Sequence, residues 1–359
     1  MKILHCVDES RLAWMAPWIQ LLKQLELLGA ENAVLCRCGG TLPAELKRAG
    51  VTCFTYDPVA QWWPAIDRGY GHIVHDYAPD LLHTRLSSAA KIAGYWGKKY
   101  HIPVISTFDK YPKARYYRNS DVLIGCSSAV TAHIKTLRLP HARTVETILN
   151  PVLAQRYERD GNVRAAFRAE RGVSDAEKIV LGMGRFVGWK AWDDYLRAIA
   201  LVPAELPLRF WLVGGGDQES SLHKLARDLD IENRVEFFPY ASDVRPWLWA
   251  ADVFVQTSKE PEGFSLMLIE AMASGVVPIA TNIGGTLDIV RDGENGFLIK
   301  PGDVQRLSEL IQLCAVAPNL KAHAAAAVEG ARRVNVENVA QQTYELYIRT
   351  TADFRRAKG

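Results

Sequence analysis

The sequence predicts an α/β protein made of two doubly wound domains, each a parallel sheet with helices on both faces. Three observations carry this. Short apolar runs alternate with longer helical patterns along most of the chain, which is the rhythm of βαβ units and hence of parallel strands joined by crossover helices. At 359 residues the chain is long enough for two cores. The alternation lapses once, between about residues 150 and 175.

Taken in order, the first half offers a strand at Lys2–Val7, an amphipathic helix at Trp14–Leu28, a strand at Asn32–Cys36, and further alternation to a strand at Val122–Cys126. Asn150-Pro151-Val152 and a charged stretch to about Glu177 then interrupt the pattern, so the domains are predicted as 1–165 and 166–340. The second half reads more clearly. Its strands are Ile179–Gly182, Leu208–Val213, Val235–Phe238, Val253–Gln256, Val277–Ala280 and Gly296–Ile299. The tail, 341–359, sets Tyr344, Leu346, Tyr347 and Phe354 among charges and reads as a helix packing back on the first domain. Ligands of such sheets sit at the carboxyl ends of the strands, so the two domains are expected to face each other across a cleft.

Composition excludes several classes. Charged residues are 23% and hydrophobic residues 48%, ordinary globular usage. No window approaches the roughly 18 apolar residues of a spanning helix, and Met1-Lys2-Ile3-Leu4-His5-Cys6-Val7-Asp8 turns polar too soon for a signal peptide. A soluble, cytoplasmic protein is expected. The six cysteines are scattered, and Cys36-Arg37-Cys38 lacks the second pair of a zinc site, so buried reduced thiols are expected. Charge is uneven: residues 1–150 hold 18 Lys+Arg against 12 Asp+Glu, although the whole chain is only +3. Between Arg85 and Arg118 eight basic residues meet one acid, Asp109, with Tyr95, Trp96, Tyr100, Tyr111, Tyr116 and Tyr117 interleaved. That stretch is a solvated face, or a surface for an anionic ligand or membrane. No nucleic-acid-binding pattern accompanies it.

The most informative segment runs from Glu260 to Gly275, after a predicted strand and into a helix. From Gly263 to Leu287 the only ionisable side chain is Glu270. The helix is apolar nearly all round, so Glu270 is buried and needs a partner. Glu262 precedes the helix, about 8 Å or more away along the axis. Between them the free N–H groups around Gly263, Phe264, Ser265 and Leu266 form an anion site. Carboxylate, anion site, carboxylate suits a sugar nucleotide, although a helix-start charge and an internal ion pair would explain the same residues. A second cluster, Gly182 to Lys190, puts Arg185 and Lys190 after a strand, as phosphate ligands or loop charges. Gly214-Gly215-Gly216 is a close backbone approach or a tight turn.

With these residues in place, the chain resembles the retaining glycosyltransferases of family 4, which have the GT-B fold of two Rossmann-like domains. The resemblance is densest from Gly182 to Asp303. It rests on Gly184-Arg185 with Lys190, the turn 214–216, Ser258, the Glu-x7-Glu pair Glu262 and Glu270 in Glu270-Ala271-Met272-Ala273-Ser274-Gly275, Gly284-Gly285, Asp292-Gly293-Glu294-Asn295-Gly296, and Pro301-Gly302-Asp303. The first half agrees through Pro79-Asp80-Leu81-Leu82-His83, Thr107-Phe108, Ser120-Asp121-Val122 with Ser127, and Asn150.

The resemblance implies that Arg185 and Lys190 hold the donor diphosphate and that Glu262 meets the transferred sugar. Backbone at Gly263, Phe264 and Ser265 would touch sugar and phosphate, Glu270 would bind the ribose, and the base would lie near Tyr240 and Ala241. It implies a UDP-linked hexose as the commonest donor, no metal or other cofactor, and front-face displacement without an enzymic nucleophile. The acceptor would be a glycan or glycolipid, with lipopolysaccharide core at the inner face of a bacterial membrane as the favoured context, and no nucleic-acid partner. A GT-B epimerase, a phosphorylase or a non-catalytic binding protein are the alternatives. Two departures stand out: Asp8-Glu9-Ser10-Arg11-Leu12-Ala13-Trp14 replaces the family's glycine pair, and Asp109 replaces a frequent histidine. Asp109 is therefore either a partner for a substrate hydroxyl or a counter-ion for Lys110 or Arg115. His83, Arg85 and Lys110 are the acceptor-facing candidates, the first two being otherwise packed and solvated respectively.

Overall fold

The computed structural model describes residues 1–12, 14–58, 63–139 and 141–357. Ala13 of the loop after the first strand, and Lys358 and Gly359 of the tail, lie outside them. The chain forms two compact units, Met1–Pro151 with Val334–Gly359, and Val152–Arg333.

Along the first unit run β1 (Lys2–Val7), α1 (Met15–Leu27), β2 (Glu31–Arg37), α2 (Leu42–Arg48), β3 (Thr52–Tyr56), α3 (Arg68–Tyr77), β4 (Leu81–Arg85), α4 (Ser87–Tyr100), β5 (Val104–Phe108), β6 (Val122–Gly125), α5 (Ser128–Thr136) and β7 (Thr144–Thr147). The second unit holds α6 (Ala154–Tyr157), α7 (Gly161–Glu170), β8 (Lys178–Arg185), α8 (Trp192–Ala200), β9 (Leu208–Gly215), α9 (Glu219–Asp228), β10 (Val235–Phe238), α10 (Arg245–Ala250), β11 (Val253–Gln256), α11 (Leu266–Ala273), β12 (Val277–Thr281), β13 (Phe297–Ile299), α12 (Val304–Val316) and α13 (Leu320–Arg332). The chain then returns to the first unit as α14 (Val336–Arg356).

Among the described residues, the first sheet has the order β3-β2-β1-β4-β5-β6-β7 and the second β10-β9-β8-β11-β12-β13. All neighbours are parallel. Each order reverses beside the unit's first strand, at β1/β4 and at β8/β11, which are the switch points where such sheets bind ligands. Central strands are apolar without alternation because helices cover both faces: Ile3, Leu4, Cys6 and Val7 of β1 are all buried. In the second core Trp192 and Tyr195 of α8 pack with Val180, Phe210 and Leu212, and the Tyr195 hydroxyl donates to the Val180 carbonyl at 2.7 Å.

The second unit starts at Val152, not near 166, and ends at Arg333 rather than 340. The charged stretch where alternation lapses is helical and belongs to this unit. Asp160 caps α7, accepting from the N–H groups of Asn162 and Val163. Arg164 and Arg168, one turn apart on α7, donate to the carbonyls of 249–251 and to the Asp252 carboxylate, which also accepts from Ile179 N–H. Charge-assisted bonds therefore do here what an apolar stripe does elsewhere.

No described helix is long and apolar enough to cross a membrane. The cysteines are free, but they are not uniformly buried as expected: Cys38 is exposed and Cys53 partly so.

Candidate active site

The carboxyl ends of β8, β9, β11 and β12 gather the donor-site candidates. Arg185 is the last residue of β8 and is exposed. Its guanidinium lies 5.7 Å from the centroid of the Trp189 ring, and the Lys190 ammonium 4.7 Å from the same ring. The Lys190 Nζ also meets Glu262 Oε1 at 2.7 Å, and the Ser258 hydroxyl donates to that oxygen at 2.8 Å. Lys190 and Glu262, assigned above to phosphate and sugar separately, are thus an ion pair with side chains 13% and 18% exposed. An ammonium has three donors, so Lys190 can serve Glu262 and an anion together.

The loop carrying Glu262 is held by backbone. Gly284 has φ +57°, and a Cβ there would lie 2.3 Å from the Glu262 carbonyl oxygen, while Gly285 N–H donates to that oxygen at 3.1 Å. Only glycine allows both. Ser265 occupies the N-cap of α11, yet its hydroxyl donates to Gln256 Oε1 at 2.6 Å and not to the helix start. The first turn therefore has no side-chain cap, which leaves the positive end of α11 available to an anion. Gly263 and Ser265 are buried, Phe264 and Leu266 half-buried.

Glu270 lies five residues into α11, half-buried. Burial raises its carboxyl from the usual 4.5 to about 7, against the opposing effect of the Tyr157 hydroxyl, which donates to Oε1 at 2.7 Å. Gly214 is a close approach within the sheet: a Cβ would lie 1.9 Å from the Gly184 carbonyl oxygen. Tyr240, just past β10, is 80% exposed, with Ala241 half-buried beside it.

Residues 163–329 match the family described as Glycosyl transferases group 1. Through its second unit, the chain is thus similar to the group 1 glycosyl transferases. The lipopolysaccharide core biosynthesis glycosyltransferase LpsE of Rhizobium meliloti (strain 1021) is 29% identical over 242 residues, 67% of each chain. The N-acetyl-alpha-D-glucosaminyl L-malate synthase of Bacillus anthracis is 30% identical over 191 residues, 53% of this chain and 49% of that protein. Anabaena HepE, in a crystal structure with UDP, matches at a TM-score of 0.84 and 22% identity, over 96% of this chain and 99% of that one. Its fold is that of both units here: two parallel-sheet α/β domains, the GT-B type.

In the first unit, Arg85, Asp109 and Asn150 collect at the switch point. Arg85, at the end of β4, is buried, not solvated. Its Nη1 donates to Asp109 Oδ1 at 3.0 Å and to Asn150 Oδ1 at 3.1 Å, while Asn150 Nδ2 donates to Asp109 Oδ1 at 3.2 Å. Trp14 lies 4.9 Å from the guanidinium. The counter-ion of Asp109 is therefore Arg85 and neither Lys110 nor Arg115. Lys110 is exposed. Arg85 Nε and Asp109 Oδ2 are buried without partners, a donor and an acceptor matched to a hydroxyl. His83 is not acceptor-facing. It is buried, with Nδ1 bonded to the Tyr347 hydroxyl and Nε2 to Thr107 Oγ1 at 2.8 Å, and burial drives its pKa well below 6.5, so it stays neutral.

Sequence reasoning missed Tyr157, Trp189 and Trp14. Tyr157 falls where the alternation lapsed, and no local pattern links it to Glu270, 113 residues on. Among the described residues no three His, Cys, Asp or Glu side chains converge as metal ligands do.

Proposed function

We propose that this glycosyltransferase moves a hexose, with retention, from a UDP-linked donor to a hydroxyl of a glycan or glycolipid. The observation that carries the reading is a charge pattern: Glu262, just ahead of α11, held against Lys190, Arg185 beside the same Trp189 ring as Lys190, and Glu270 one helical turn into α11. The cations match a diphosphate whose charge grows as its bond to the sugar breaks. Glu262, freed in part from Lys190 by that phosphate, takes sugar hydroxyls, and Glu270 takes the ribose diol.

In the proposed reaction the bond between the sugar's anomeric carbon and the diphosphate oxygen breaks, and its electron pair leaves with the nucleotide. The acceptor oxygen bonds to the same face, and its proton passes to the departing phosphate oxygen. Positioning and charge stabilisation supply the rate, and no metal is required, since Arg185 and Lys190 provide the positive charge. Asp109 and Arg85 offer the acceptor hydroxyl one acceptor and one donor. HepE's complex makes uridine the first base to test, and LpsE makes lipopolysaccharide core the first acceptor class. The exposed Lys110, Lys113, Arg115 and Arg118 suit an anionic glycolipid or peripheral contact with the inner face of the plasma membrane.

Calorimetry with UDP, GDP, ADP and CMP on the wild type and Arg185→Ala tests the donor site. One nucleotide should bind, and the variant should lose at least about tenfold in affinity, the worth of one charge-assisted contact. Equal binding by both proteins would remove Arg185 from the diphosphate. Free altered sugar without acceptor would identify an epimerase instead.

A further inference from the structure

The geometry of α6 against α11 points to a positioning residue for donor binding: we propose that Tyr157 orients the Glu270 carboxylate for the ribose diol of the nucleotide. The inference rests on the reading of Glu270 as the ribose ligand. The Tyr157 hydroxyl donates to Glu270 Oε1 at 2.7 Å, which leaves Oε2 and the second lone pair of Oε1 to receive two ribose hydroxyls.

The phenol can do this because its backbone is fixed from two sides. Trp249 Nε1 donates to the Tyr157 carbonyl at 3.0 Å. Two residues on, Arg159 Nη2 donates to the carbonyls of Ala251 and Gly275 at 3.0 and 2.9 Å, tying the segment to the ends of α10 and α11. A half-buried carboxylate without such a donor would rotate or take up a proton. The charged group on α6 that acts on Glu270 is Arg156, and Arg156 and Arg245 act on the phenol. Packed along α11, α13 carries Lys321, His323, Glu329 and Arg332.

Two readouts of Tyr157→Phe test the proposal. In the ligand-free protein, the 13C carboxyl resonance of Glu270, assigned with Glu270→Gln, should titrate at higher pH in the variant than in the wild type. An unchanged midpoint overturns the proposal, whichever base the enzyme prefers. In the second, UDP-glucose is compared with 2′,3′-dideoxyuridine 5′-diphosphate. The variant should bind UDP-glucose about tenfold more weakly, the scale of one hydrogen bond to a charged group, and the dideoxy nucleotide about as well as before. Equal losses for both would mark Tyr157 as merely structural. A wild type that binds both alike removes the ribose role of Glu270, and the inference with it, while leaving the titration result intact. If Tyr157→Phe fails to fold, Trp249→Phe, which removes the hydrogen bond to the Tyr157 carbonyl, should produce the same two shifts in smaller measure.

Discussion

Asp109 shows what a single residue's environment adds to its sequence context. It follows β5 beside Lys110 in a basic stretch, yet its charge is met by Arg85 from β4, 24 positions away, and Asn150, 41 away. No spacing rule connects the three, because the topology alone brings their strand ends together. Glu262 and Glu270 could be read together for the opposite reason: one precedes and the other lies within a single helix, and Glu270 is the only ionisable side chain from Gly263 to Leu287. Removing Asp109 leaves the Arg85 charge buried, with the two side chains 9% and 15% exposed in the pair. Asp109→Ala should therefore destabilise the first unit by about 3 kcal/mol, and Asp109→Asn, which keeps an acceptor for Nη1, by roughly half as much. Urea unfolding measures both. Identical stabilities for the alanine variant and the wild type would mean that Arg85 finds solvent and that the pair is not buried in solution.

At the scale of elements, the apolar parts of the strands were legible: Val235–Phe238 and Val253–Gln256 coincide with β10 and β11, whereas Ile179–Gly182 and Leu208–Val213 stop short of the ends of β8 and β9, which run on through glycine to Arg185 and Gly215. The helices α6 and α7 were not: α6 is a four-residue turn, and α7 is tied down largely by arginine-to-carbonyl bonds, with Phe167 against Trp211 and Trp247 as its aromatic contact. Loops were legible only where glycine marked them, and Gly284 is the instructive one. Alanine there would push a Cβ against the Glu262 carbonyl while also holding an unfavourable φ of +57°. The loop must give way, and with it the carboxylate that Lys190 and Ser258 hold. Gly284→Ala should lower kcat by about 100-fold, the cost of misplacing a reacting-site group by an ångström, with a fall in unit stability of only ~1–2 kcal/mol. Steady-state kinetics beside a thermal melt would separate the two effects. Turnover within twofold of wild type would show that the Glu262 loop tolerates displacement, and the sugar-binding role would lose its geometric basis.

Over the whole molecule, the two units respond to acid in opposite directions. In the first unit burial lowers His5 from 6.5 to about 4, opposed by its bond to Asn32 and aided by Arg85. His83 is lowered further by burial, His5 and Arg85. The unfolded chain takes up these protons below about pH 6.5 and the folded unit does not, so stability present above 6.5 is lost as pH falls. Each group contributes a slope of about 1.4 kcal/mol per pH unit. The raised carboxyls of Asp67 and Asp121 oppose this, from windows that open above 3.8. In the second unit the sign reverses at Glu270. Its folded carboxyl, at about 7 against 4.5, binds a proton before the unfolded one does, so stability rises as pH falls from 7 towards 4.5. Between pH 7 and 5, hydrogen exchange corrected for intrinsic rate should therefore accelerate in β1 and β4, and hold or slow in β8 and β11. His83→Gln should remove about half of the first unit's acid sensitivity, and Glu270→Gln should flatten the second unit's response. If β1 and β4 keep their protection at pH 5 in the wild type, then His5 and His83 are protonated inside the folded unit, and their burial next to Arg85 is not what sets their charge.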